Sequence, residues 1–363
     1  GRRYCAPRTQ AVLRQRRWAM AGLFQRPVRI FVANTSEVCT DFRYGKDLFE
    51  EKVPELIRGS SLRAPSLEEA DAIYHPACLT DAYFRLRGTA PDQLLKLEER
   101  VLRELEPLLP ARKPVIVNAL RCYQIGERKH RAVLRRFQDF PRLWQSNRYL
   151  RFCMEAFPSL DKQRSLYVPY CPRQPLTSPP ESQSGPGVNR PISVVFIGRE
   201  RTGHGVRLKS LAALRRTPGS KVVEINISHP GVSNEIFKAN LTFKSEDPRL
   251  RPMARANFTL CPPGDTPESE RIYHAISQGS IPIIGPAFQR PSIIDWGSMS
   301  WPLKIDPASG LLELPTPQQQ VALQRGVWRV RKRIDCEASN LAFRDFIEAG
   351  LRHILTFANQ ASG

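Results

Sequence analysis

Apolar positions along this chain fall into two rhythms. Short, mostly apolar runs recur: IFVAN at 30–34, DAIYHP at 71–76, PVIVNAL at 114–120, ISVVFIG at 192–198, KVVEINI at 221–227, FTLCP at 258–262 and IPII at 281–284. Each carries β-branched or aromatic residues and has Gly, Pro or Asn in or near its ends, so each reads as a short strand. Between them the spacing becomes helical. In 93–109 the residues Leu94, Leu95, Leu97, Val101, Leu102 and Leu105 make one broad apolar stripe, which reads as core packing. The stretches 208–216, 268–278 and 318–357 are helical by the same criterion. Strands alternating with helices predict an α/β protein with parallel, doubly wound sheets.

The alternation divides the chain. Residues 28–171 form one predicted unit and 192–310 a second. The stretch 172–191 contains TSPPESQSGPG and reads as a Pro/Ser/Gly-rich linker or long loop. The Arg-rich residues 1–27 read as a basic stem or disordered arm. The helical residues 311–363 are expected to pack back across the junction.

The most informative segment begins at the end of the sixth apolar run. Cys261, Pro262, Pro263, Gly264 and Asp265 break a strand, and Ser269 and Arg271 lie at the start of a helix. Gly279 is placed to cap that helix and IPII returns to the sheet. A loop from strand end to helix start presents main-chain N–H groups and a positive dipole end, which suits an anion. Arg271 adds a permanent fork-shaped donor. Earlier in the same unit, Gly198-Arg199 ends a strand and Arg207 opens the following helix. Loops at the carboxyl ends of one parallel sheet face one crevice, so Arg199, Arg207 and Arg271 are candidates to converge on a diphosphate. On spacing alone, an ordinary βαβ unit with surface arginines fits equally well.

This segment resembles the exostosin family of glycosyltransferases. The resemblance is carried by Cys261, Pro263, Gly264, Asp265, Ser269, Arg271, Ala275, Ile276, Gly279, Ile281, Pro282, Ile283 and Ile284, and by the downstream pair Asp295-Trp296. It continues more thinly through VRIFVANTS at 28–36, the stretch 40–76, YVPYCPR at 167–173 and VVFIGRERTGHGVRLKSL at 194–211, giving a coverage of 28–306. It implies a GT-B fold, two Rossmann-like doubly wound domains facing a cleft. It also implies transfer of a hexosyl or pentosyl unit from a nucleotide sugar, UDP-linked, to a glycan or glycoprotein. The donor-binding residues implied are Gly198, Arg199, Arg207, Gly264, Asp265, Ser269, Arg271 and His274. Two positions depart from the family pattern. His274 stands where many members carry a carboxylate for the ribose hydroxyls, and Lys129 replaces an acid in Gly126-Glu127-Arg128-Lys129-His130. Both favour the alternative of a catalytically inactive, exostosin-like glycan-binding protein.

The chemistry needs a partner for the leaving diphosphate and, if the reaction inverts, a base for the acceptor hydroxyl. Arginines and a helix N-terminus supply the first without metal. The sequence contains no Asp-x-Asp motif, so neither a metal nor a cofactor beyond the nucleotide-sugar substrate is expected. His75 and His130 are the catalytic candidates for the base, with Asp71 and Asp81 behind them. A retaining reaction would need none of these.

Charge extends the list of partners. With 55 Lys and Arg against 35 Asp and Glu, the net charge is +20, a field that attracts polyanions. An arginine-rich composition spread over solvated faces explains the same number. No aromatic RNA-binding motif, zinc spacing or heptad accompanies the charge, so nucleic acid is not an expected partner. The eight cysteines do not pair at zinc-like spacing, and Cys261 reads as a small buried hydrophobe.

Four sequons begin at Asn34, Asn226, Asn240 and Asn257. Asn34 and Asn240 are the glycosylation candidates, since Asn226 and Asn257 fall in or beside strands. The sequons lean towards the secretory pathway. No apolar run reaches the roughly 18 residues of a membrane span. The family resemblance implies the Golgi lumen and a type II anchor upstream of this sequence.

Overall fold

The computed structural model describes residues 28–34, 49–77, 79, 91–111, 113–122, 149–156, 165–167, 190–198, 205–224, 251–263, 270–286, 288, 294–334 and 341–360. Within these residues lie two five-stranded sheets, and every strand pairing in them is parallel.

The first sheet is ordered β1 (Ile30–Val32), β2 (Ala72–His75), β3 (Val115–Cys122), β4 (Tyr149–Ala156) and β5 (Ser165–Tyr167). Ile30 pairs with Ala72 of β2 and also forms a parallel bridge to Arg63. The chain therefore steps outward from β1 to Arg63, then returns past β1 to begin β2. That reversal makes the sheet doubly wound, with its switch point between β1 and β2. α1 (Phe49–Arg58) makes the first step and buries Val53, Leu56 and Ile57. These fall at i, i+3 and i+4, a single helical face. α2 (Pro91–Leu105) connects β2 to β3 and buries Leu97, Val101 and Leu105. Leu95, expected on that stripe, is instead 51% exposed. It sits two residues from Leu97, so it points away from the buried face.

The second sheet is ordered β10 (Trp301–Pro302), β9 (Ile281–Ile284), β8 (Ala256–Cys261), β6 (Ile192–Gly198) and β7 (Lys221–Glu224). The chain starts in the interior at β6, moves outward to β7, then crosses back to β8. Its switch point is therefore the gap between β6 and β8. α3 (Gly205–Arg216) follows β6, the short α4 (Arg251–Ala254) precedes β8, and α5 (Glu270–Ser277) connects β8 to β9. β8 and β9 are buried at every position. This is the condition of a parallel sheet covered on both faces, and it explains why their sequences read as continuous apolar runs.

The predicted 318–357 helix is two helices, α6 (Pro317–Arg331) and α7 (Leu341–Gln360). Thr316 caps α6 through its hydroxyl, which accepts from Gln319 N, while the Gln319 side chain accepts from Thr316 N. The reciprocal pair satisfies two otherwise orphaned donors. α6 packs on α5 and β9 of the second unit, whereas α7 packs on β5 of the first. Contact between α6 and the 3-10 turn Trp296–Ser298 is close enough to require Gly326. A Cβ there would overlap the Ser298 carbonyl. Trp296 of that turn meets Phe288 and Tyr273 edge-on, with ring centroids 4.8 and 6.4 Å away, so the Asp295-Trp296 pair contributes a buried anchor.

Each unit has a cation two residues ahead of an interior strand. Lys113 Nζ donates to the carbonyls of Leu67, Glu68 and Ala70 at 2.6–2.7 Å. Arg190 Nη1 donates to those of Ala256, Gln278 and Met253 at 3.0, 3.3 and 3.5 Å. Both gather main-chain oxygens at the amino ends of the strands. Burial and the nearby Arg331 push the Arg190 pKa down to about 10, so the guanidinium stays charged at neutral pH.

Among the described residues, no helix is long and apolar enough to cross a membrane.

Candidate functional site

The switch point of the second sheet gathers three of the sequence-predicted residues. β6 ends at Gly198, and β8 ends at Cys261 beside it. Two arginines bridge the ends. Arg271, one residue into α5, donates from Nε to the Ile197 carbonyl of β6 at 2.6 Å. Its guanidinium carbon lies 4.6 Å from the centre of the Phe196 ring. Arg207, two residues into α3, donates from Nε to the Pro263 carbonyl just beyond β8 at 3.1 Å. Arg207 is buried and Arg271 half-buried.

Gly198 makes the first of these contacts possible. Its φ is +153°, a conformation that residues with a Cβ rarely adopt. A Cβ at this position would overlap the Arg271 guanidinium. The glycine at the strand end therefore leaves room for an arginine from a different helix.

α5 forms because Ile272, Ala275 and Ile276 share one face, and all three are buried. Its end closes as the sequence predicted. Gly279 sits at φ +69°, with Ser280 N donating to Ala275 O at 2.9 Å and Gly279 N to Ile276 O at 3.0 Å, the paired bonds of a Schellman motif. Since α5 lies between the sheet and α6, both of its faces are covered. His274 is accordingly buried rather than exposed to solvent.

Cys261 is an unbridged, buried thiol. Burial pushes its pKa up to about 12 against the opposing pull of Arg271, which keeps the sulfur protonated.

In the first unit, His75 ends β2 beside the switch point. It has no exposed surface. Its Nε2 lies 3.0 Å from Glu104 Oε2 on α2. Burial lowers its pKa from the ordinary histidine value, and the Glu104 carboxylate opposes that shift. In this geometry the ring ties α2 to β2 and offers no face to an acceptor hydroxyl. Asp71, one residue before β2, accepts from Arg29 N at 2.8 Å, at the opposite end of the sheet. Asn34 is exposed just after β1, while Asn257 is buried in β8. The Asn257 side chain donates to Arg190 O at 3.4 Å and accepts from Gln324 at 3.5 Å.

His130, Asp81, Lys129, Arg199, Gly264, Asp265, Ser269, Asn226 and Asn240 lie outside the described residues. Sequence reasoning missed Phe196 and Glu104. Phe196 was visible as the aromatic two before Gly198. Glu104 follows Leu97 by seven residues, at the half-buried edge of the α2 stripe, where a carboxylate calls for a partner.

Residues 146–307 match the family model described as Exostosin GT47 domain. The match covers all of the second sheet and the two arginines, and it begins well after the start of the resemblance read from sequence at residue 28. No curated protein sequence matches the chain. Among solved structures it is similar to WaaG, a glycosyltransferase involved in lipopolysaccharide biosynthesis, at 11% identity, 91% of this chain, 100% of that one and a TM-score of 0.40. It is similar to an alpha1,3-fucosyltransferase at 12% identity, 91% and 90% coverage and a TM-score of 0.33. It is also similar to HepE of Anabaena in complex with UDP, at 11% identity, 92% and 98% coverage and a TM-score of 0.30. These likenesses are distant. Two doubly wound parallel units in succession agree with the α/β class of fold that the resemblance implied.

Proposed function

With an exostosin GT47 glycosyltransferase domain over residues 146–307 as the premise, we propose that the protein transfers a hexosyl or pentosyl unit from a nucleotide sugar, UDP-linked, to a glycan or glycoprotein. The observation that carries this reading is Arg271. It projects from the helix after β8, crosses the switch point and is held at the end of β6. In open α/β sheets, ligands bind outside the carboxyl ends of the strands at such a point.

The step at issue is departure of the nucleoside diphosphate. As the bond from the sugar C1 to the phosphate oxygen breaks, negative charge grows on that oxygen. A guanidinium already fixed in place stabilises this charge without reorganising during the reaction. Arg271 takes that role, and Arg207 holds the chain leaving β8 at Pro263. No metal takes part, and neither the buried His75 nor the half-buried Glu104 bonded to it serves as the acceptor base.

The test is incubation with a panel of UDP- and GDP-sugars, reading release of nucleoside diphosphate and protection against heat. Hydrolysis or protection with one donor supports the enzyme. Salt-sensitive binding of sulfated glycans with no response to any nucleotide would replace it with an inactive glycan-binding protein.

A luminal location goes with this reading. The sequon at Asn34 is exposed and open to modification there, and burial of Asn257 excludes that sequon from modification in the folded state. Digestion of the protein secreted from eukaryotic cells with peptide N-glycosidase should convert Asn34 to Asp and leave Asn257 unchanged. An unmodified Asn34 there would count against the location.

A further inference from the structure

We infer that Phe196 and Gly198 are positioning residues that seat Arg271 for the diphosphate; the inference rests on the reading of Arg271 given above. Three independent features of β6 act on one guanidinium. The Ile197 carbonyl takes its Nε–H at 2.6 Å. The Phe196 ring lies against its face at 4.6 Å. Gly198 supplies the space that the group occupies, with a φ of +153° that disfavours any replacement.

Each feature restrains a different motion. The carbonyl fixes the Nε edge of the fork. The ring fixes the tilt of its plane, since a cation is drawn to the ring face. The glycine fixes how closely the group approaches the strand. A guanidinium recognises phosphate through two parallel N–H donors, so its value depends on the orientation of that plane. An arginine on an exposed helix turn would lose rotamer freedom on meeting its ligand. One seated in advance loses little, and the saving appears as affinity.

Phe196 is fully buried and also contributes to the core, so the test must separate seating from packing. UDP is the probe, its dissociation constant measured by calorimetry for wild type, Arg271→Ala, Phe196→Leu, Gly198→Ala and the double variant Phe196→Leu/Arg271→Ala. Arg271→Ala is expected to weaken UDP binding roughly a hundredfold, the scale of a lost charge-assisted bidentate contact. Phe196→Leu is expected to weaken it about tenfold, the scale of a desolvated cation–π contact. Gly198→Ala should behave like Phe196→Leu. The double variant should bind no worse than Arg271→Ala alone, because a seat without its occupant does nothing.

In turnover, Phe196→Leu should raise the donor KM and also lower kcat, since the arginine acts on the departing diphosphate. If Phe196→Leu weakens UDP equally with and without Arg271, its role is general packing and the inference is overturned. An unchanged constant in both Phe196→Leu and Gly198→Ala overturns it as well, while leaving the reading of Arg271 intact. An unchanged constant in Arg271→Ala removes that reading and the inference with it. Should Phe196→Leu fail to fold by circular dichroism, Phe196→Met carries the same comparison with a longer, more adaptable side chain of similar volume.

Discussion

Arg207 and Arg271 cross one gap in opposite directions. Arg207 leaves the helix after β6 and holds Pro263 beyond β8, while Arg271 leaves the helix after β8 and holds Ile197 of β6. The end of β6 and the chain leaving β8 are thus each held by an arginine from the other side. The arrangement makes the crevice a single mechanical unit. Replacing Arg207 by Met would strand the Pro263 carbonyl, at a cost of about 1–3 kcal/mol. The midpoint of urea unfolding should fall accordingly, and the stabilisation produced by saturating UDP should shrink. A midpoint matching wild type would show that the contact contributes nothing.

Gly326 is required by distance rather than by dihedral angle. The Ser298 carbonyl occupies the space a methyl group would need, and both elements are main chain, so neither can rotate aside. Gly326→Ala should destabilise the second unit by about 2–3 kcal/mol, the upper end of overpacking costs. Helix propensity alone would favour alanine by up to about 1 kcal/mol. A thermal melt therefore distinguishes the two effects by sign.

His75 gives a pH dependence of defined direction. Burial holds its pKa in the folded state below the ordinary value, so between the two the unfolded chain binds more protons. By linkage, stability rises with pH across that window. The contribution is complete above the ordinary histidine value, near 6.5, and is lost as pH falls through it towards the folded one. Urea midpoints between pH 7.5 and 5.5 should fall more steeply for wild type than for His75→Gln. Parallel curves would mean that His75 does not titrate in this way.

Cys261 should be inert. A thiol pushed up to about 12 and buried beside β9 has almost no thiolate at neutral pH. Brief alkylation of the native protein followed by peptide mapping should find Cys261 unmodified, and alkylation in urea should modify it. Labelling in the native state would show that the end of β8 opens readily.

Much of this was legible in the chain because local pattern and tertiary role agree. In IPII, FTLCP and ISVVFIG every residue is apolar or small, which is what a strand covered on both faces requires. Gly279 was readable as a cap, since a glycine after a helical run answers a specific backbone need. Other features depend on what the fold brings near. β4 was not anticipated because its sequence YLRFCMEA carries Arg151 and Glu155 within an otherwise apolar strand. The spacing of α2 placed Leu95 on the core side, although the sheet covers only the narrower stripe through Leu97, Val101 and Leu105. His274 has the spacing of an outward-facing residue, yet it is buried in a helix that packs on both the sheet and α6. At the site, sequence supplied the arginines and the glycine. That Phe196 and Ile197 hold Arg271 emerges only when β6 and β8 lie side by side.

Lys113 and Arg190 stand far from the arginine crossing, yet each ties together three carbonyls at the base of its unit. A neutral substitute at either position strands several oxygens at once. Variants found there in a mutational screen would diminish the amount of protein in the cell, and their phenotype would say nothing about the chemistry at the other end of the sheets.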